Sequence, residues 1–184
     1  GTKQYLIGCT IRNGIGADMS GSGSRNGGGI FCSHSSPIVR ANRIVGNSTG
    51  QMPLASGGGV FVTLADSAII ENNVIEFNSS AWLGGGILIA AVPYVRIADN
   101  RIQGNTSGGA GGGIAVFANA GDVIIDNNRI LGNQSDSCGG GIFDRGPNSV
   151  ITGNWIGGNI SRHKCGGGMM VYGSRSGPIY NSPI

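Results

Sequence analysis

The chain's best grouping for chemistry is Asp99, Arg101, Asp126 and Arg129, four charged residues that lie in consecutive repeats. Two carboxylates with an arginine beside them can supply a general acid, a general base and a stabiliser of developing charge. The same four residues also read as a solvated ladder of ion pairs, which contributes little to stability, and this second reading is preferred. Asp144, Arg145 and His163 form a looser group with the same pair of readings. Arg43, Arg101 and Arg129 share one row of the repeat with Val74 and Trp155. Arg and Trp are common contact residues, so this row is a candidate sugar- or anion-binding strip, with a plain solvated row as the preferred alternative.

Those positions are related by a repeat. Gly-Gly-Gly triplets begin at Gly27, Gly57, Gly84, Gly111, Gly139 and Gly166, spaced 30, 27, 27, 28 and 27 residues apart. Between them the pattern N-x-I-x-x-N spans Asn42–Asn47, Asn73–Asn78, Asn100–Asn105, Asn128–Asn133 and Asn154–Asn159. Self-similarity at this period marks a solenoid. A triple glycine in every unit argues against helix pairs. Short runs rich in Ile, Val and Phe argue for strands. The expected fold is all-β, a right-handed parallel β-helix of about six coils with three short strands each, formed by residues 1–184 as one domain. Coils then rise by about 4.8 Å, the distance between neighbouring strands.

Side-chain parity places the bends. Val39, Ile70, Ile97, Ile125 and Ile151 form one apolar row, and Ile44, Ile75, Ile102, Ile130 and Ile156 form another of opposite parity. Both are buried if the chain bends at Asn42, Asn73, Asn100, Asn128 and Asn154. Asn tolerates a left-handed backbone, and stacked Asn side chains can bond as a ladder. In the strand after each triplet, Phe31, Phe61, Leu88, Ala115, Phe143 and Met170 alternate with the Ile30/Cys32-type rows. If the latter face the core, Phe31, Phe61, Leu88, Phe143 and Met170 form an exposed apolar stripe, a candidate interface. A bulge that turns this row inward is the alternative.

Cys138 and Cys165 each precede a triplet and lie 27 residues apart, one coil. Stacking brings them within bridging distance, so a disulfide is expected. Cys32 reads as a core residue; Cys9 lies one coil earlier but in a different strand, a poor placement for a bridge to it, and the sequence leaves the state of both open. A disulfide points to an extracellular, periplasmic or cell-surface setting. The N-x-[ST] sequons at Asn47, Asn78, Asn105, Asn133 and Asn159 read as a repeated turn in preference to glycan acceptors. The Cys and His spacing fits no metal site, and no cofactor is expected. Twelve Lys and Arg against nine Asp and Glu give a net charge of +3. With no basic run, nucleic acid is not an expected partner. No apolar run is long enough for a membrane helix.

The order strand, turn, strand, Asn-bearing bend, strand, variable turn resembles the right-handed parallel β-helix of the pectin-lyase-like superfamily. Ala68–Asn78 (AIIENNVIEFN) and Val123–Asn133 (VIIDNNRILGN) are similar to the generic parallel β-helix repeat found in NosD-type periplasmic proteins. The GGGI and I-x-x-N elements are also similar to repeats of chlamydial polymorphic outer-membrane proteins, although Phe77 sits one place late for that pattern. The superfamily resemblance implies a polysaccharide groove over the first strand walled by long loops, but of the variable turns only Ser48–Ser56 is long enough to build a wall, and the His-Gly, paired-Asp or Arg-x-Lys groups of its polygalacturonase-type members are missing. The fold alone does not decide function. The expected role is a non-catalytic structural or binding β-helix that contacts polysaccharide or another protein chain. A polysaccharide lyase or glycoside hydrolase is the alternative. Both ends break off in mid-coil, which reads as a segment of a longer solenoid able to self-associate through open coil ends or through the apolar row.

Overall fold

The structure is a computed structural model that describes residues 2–18, 25–117, 120–163, 165–172 and 179–180. Of residues 177–184, which the sequence reading expects to break off in mid-coil, only Ile179–Tyr180 lies among them. Every named strand pairs in parallel with its counterpart one coil away, in four sheets of seven, six, six and four strands. The first sheet follows the triplets and contains Ile30–Ser33, Val60–Thr63, Ile87–Ala90, Ile114–Val116, Ile142–Asp144 and Met169–Val171. The second sheet includes Ser36–Arg40, Ser67–Glu71, Tyr94–Ala98, Asp122–Asp126 and Asn148–Thr152. The third includes Arg43–Val45, Val74–Glu76, Arg101–Gln103, Arg129–Leu131 and Trp155–Gly157. The described residues contain no helix long and apolar enough to cross a membrane.

Like residues stack on like. Ile44, Ile75, Ile102 and Ile130 are fully buried, as are Val39, Ile70, Ile97 and Ile125 in the opposing row. They join the Val60/Ile87/Ile114/Ile142 row in one continuous core. Each such side chain contributes roughly 1.5–3 kcal/mol by leaving water.

Two columns of asparagine hold the corners. Asn73 donates from its backbone N–H to Asn100 Oδ1 (2.9 Å), and from Nδ2 to Asn100 Oδ1 (3.0 Å) and to the Val39 carbonyl (2.9 Å). One amide therefore ties three coils together. The pattern runs through Asn42, Asn73, Asn100, Asn128 and Asn154. A second ladder runs through Asn47, Asn78, Asn105, Asn133 and Asn159. In the first coil, Cys9 and Gly14 stand at the ladder positions, and their backbone N–H groups donate instead to Asn42 Oδ1 and Asn47 Oδ1. Asn47, Asn78, Asn105 and Asn133 are buried, so four of the five sequons offer no free amide.

The left-handed backbone lies one residue before the position expected. Ala41, Asn72, Asp99 and Asn127 have φ of 53–56°, and the ladder asparagines after them do not have positive φ. The ladder residue must keep its N–H pointing along the stack, so its neighbour takes the strained turn.

The triplets do more than form a corner. The first glycine is left-handed, as at Gly84 (φ 64°). A Cβ on Gly85 would lie 2.3 Å from the Thr106 carbonyl oxygen, and one on Gly86 would lie 3.1 Å from Asn105 Nδ2. The triplet therefore lies flat against the second ladder. It also lies against a fourth sheet of two-residue strands, Ser79–Ser80, Thr106–Ser107, Gln134–Ser135 and Ile160–Ser161, in segments that the sequence reading treats as variable turns.

Replacing Asn105 with alanine strands several buried backbone and amide groups, each worth about 1–3 kcal/mol. We expect a loss of about 3 kcal/mol or more in urea unfolding. A change of a few tenths would show that the ladder does not bear the load.

Candidate functional site

The apolar row after the triplets is placed differently from the expected exposed stripe. Its side chains point away from the main core, yet Leu88, Ala115 and Phe143 are buried. They belong to a second, smaller apolar cluster with Leu83, Ala110 and Cys138, against which Phe61, Phe117, Cys165 and Met170 also pack. The cause lies at the triplet: its left-handed first glycine turns the chain back, so the preceding residue covers the outer face of the strand that follows. Where that residue is Leu83, Ala110 or Cys138, the row is sealed. In the coils of Phe31 and Phe61 it is polar, Asn26 or Ser56, and both rings stay half-exposed, edge to face at 5.4 Å. No bulge turns the row inward. The apolar residue before each later triplet was the signal in the sequence.

Cys138 and Cys165 form a disulfide at this cluster, with Cα atoms 4.9 Å apart. Cys9 and Cys32 are free.

The acid–arginine group does not converge. Asp126 meets Arg96 (3.8 Å), which also reaches Glu71 (4.0 Å), while Glu71 Oε1 accepts from Arg40 Nε (2.7 Å). Arg101 is engaged by Glu76 (3.1 Å) and by Gln103 (3.0 Å). Arg129 lies over the Trp155 ring, and Asp99 occupies an exposed left-handed corner. The result is a set of ion pairs running along the rod, each weak because its arginine remains in contact with solvent.

The strip on the third sheet does form a continuous row. Arg43, Val74, Arg101, Arg129 and Trp155 stand in direct register. The Arg129 guanidinium carbon is 4.6 Å from the Trp155 ring centroid, and the indole is 61% exposed. Glu76 is buried beneath, 3.7 Å from Arg43 and 3.1 Å from Arg101. Arg43 and Arg101 thus share one carboxylate while Arg129 lies over the indole, leaving the strip positive. Beside it, the exposed Phe77 lies across Gly104, where a Cβ would come within 2.7 Å of the ring. The sequence showed Phe77 only as a break in a pattern. Its left-handed φ of 53° presents the ring next to the strip.

Asp144, Arg145 and His163 are also separated. Arg145 points outward between Phe117 and Tyr172, 5.4 and 5.2 Å from their rings. His163 is exposed. Asp144 sits in the inward row between Val116 and Val171 and is fully buried. Its Oδ1 accepts from the Gly146 N–H (2.8 Å), while Oδ2 has no hydrogen-bond partner. Burial pushes the carboxyl above the ordinary carboxylate range, and the Gly146 amide and the nearby Ser149 hydroxyl pull it down by less. Among the described residues, no three His, Cys, Asp or Glu side chains gather as they would round a metal ion.

An acid whose folded pKa is raised holds its proton more tightly when folded. Asp144 therefore favours the fold least above its folded pKa and stops penalising it below the unfolded carboxylate range. Asp144→Asn keeps the shape and removes the charge. We expect it to raise the melting temperature more at pH 7 than at pH 3. An equal change at both pH values would show that folding does not raise the carboxyl's pKa.

A family model described as "Right handed beta helix region" matches residues 28–182. No curated protein and no solved structure matches the chain. The match covers most of the sequence and agrees with the stacked parallel sheets, the paired asparagine ladders and the continuous isoleucine core, so the chain belongs to the right-handed β-helix family.

Proposed function

We propose that this chain is a non-catalytic binding rod of a secreted, periplasmic or surface-exposed protein, and that it holds an acidic polysaccharide along the third-sheet strip. The observation that carries this reading is the exposed Trp155 with Arg129 over its ring, in register with Arg101 and Arg43. An indole face supports a sugar ring, and guanidinium groups one strand apart (Arg101 and Arg129) and two strands apart (Arg43 and Arg101) can meet carboxylates along a chain. Weak contacts repeated along a rigid row add up, because the rod is ordered before it binds. Non-catalysis is supported by the pairing of Glu71, Glu76 and Asp126 with arginines and by the burial of Asp144, the carboxyl raised by its surroundings.

The test is binding of polyuronates and matched neutral polysaccharides by calorimetry. We expect polyuronate binding that weakens with salt and falls about tenfold or more in Trp155→Ala. Binding of neutral chains that falls as far in Trp155→Ala as binding of polyuronates, or polyuronate binding unchanged in Trp155→Ala, would overturn the strip. In the same mixtures, ultraviolet absorbance from unsaturated uronate products should stay flat. A steady rise would replace this reading with a lyase.

A further inference from the structure

Round the second asparagine corner from that strip lies a groove of about 570 Å³ that runs along the fourth sheet. Its lining includes Ser48, Ser79, Thr106, Gln134, Asp136 and Arg162. The first four are outward positions stacked directly one on another. They therefore recur at about 4.8 Å along the rod. We propose that this groove is a second binding site, for a neutral, hydroxyl-rich saccharide chain lying parallel to the rod axis.

The chemistry of the lining selects that class. Serine, threonine and glutamine each donate and accept, and Ser79 Oγ already bonds Ser48 Oγ at 2.9 Å. A repeating row of such groups matches a repeating row of sugar hydroxyls. The groove's charges cancel at one end: Arg162 is 3.6 Å from Asp136, and the Gln134 amide, with its oxygen turned toward Arg162, accepts from Nε and Nη2 at 2.9 Å each. An anionic chain gains nothing there, in contrast to the third-sheet strip. No aromatic ring lines the groove, so a ligand is held by its edges and not by stacking. The floor stays low because Gly108 has no side chain: a Cβ there would fall 2.3 Å from the Ala81 carbonyl oxygen. The volume is within the usual range for ligand sites, roughly 300–1,000 Å³.

This site is independent of the third-sheet strip, and the variants separate them. Neutral hexasaccharides of glucose, mannose, galactose and xylose are titrated against the full chain by calorimetry and saturation-transfer NMR. Thr106 is exposed, so Thr106→Trp can fill the groove while leaving the core untouched. Thr106→Val keeps the shape and removes the hydroxyl. We expect at least one hexasaccharide to bind, with affinity falling about tenfold in Thr106→Trp and severalfold in Thr106→Val, and unchanged in Trp155→Ala. Melting curves check that Thr106→Trp is folded, and Thr106→Val alone decides if it is not. The groove is overturned if no neutral hexasaccharide binds at millimolar concentration, or if binding survives the Thr106 changes. Binding lost only in Trp155→Ala would also overturn it, and would show that the strip does not select acidic chains.

Discussion

The structure depends on how a buried side-chain amide is satisfied. A β-helix must turn its chain sharply in every coil, and each turn carries backbone groups away from water that need partners. Asparagine meets this need because its amide is planar, carries two donors and one acceptor, and is short enough to reach one strand spacing in each direction. Asn73 does so with bonds to the coil before and the coil after. Aspartate has no N–H to give, and glutamine carries an extra methylene that the corner does not accommodate. The isoleucine rows and the glycine triplets follow from this spacing. The rows fill the space between fixed corners, and the triplets are thin where the chain passes over Asn78, Asn105 and Asn133.

Much of this was legible because the repeat amplifies weak signals. One N-x-I-x-x-N means little, whereas five in phase with six triplets fix the coil, the two buried isoleucine rows and the Cys138–Cys165 contact. Parity could say that Phe61 and Leu88 face away from the core, but not that Leu83 and Ala110 fold back to cover them. That depends on how tightly Gly84 and Gly111 reverse the chain. The left-handed residue was read one place late because Asn is the familiar occupant of that conformation. Here the ladder requires Asn to use its N–H along the stack, and Ala41 takes the positive φ. The two-residue strands of the fourth sheet are too short to show any alternation.

The site was less legible than the fold for the same reason. Stacking makes rows, and a row of charges reads equally as solvated surface or as a recognition strip. Geometry separates the cases. Asp126 is drawn to Arg96 within its own sheet, which removes it from any acid–base pair with Arg129. Arg129 finds an indole and not a carboxylate, which leaves its charge available to a partner.

The covalent bond between Cys138 and Cys165 has a mechanical consequence. Each coil of a solenoid touches only its neighbours, so thermal fraying proceeds one rung at a time from whichever tip is softer. Joining two adjacent rungs doubles the smallest unit that can come loose at that place in the stack. Loss of order there must release the isoleucine and asparagine contacts of both rungs at once.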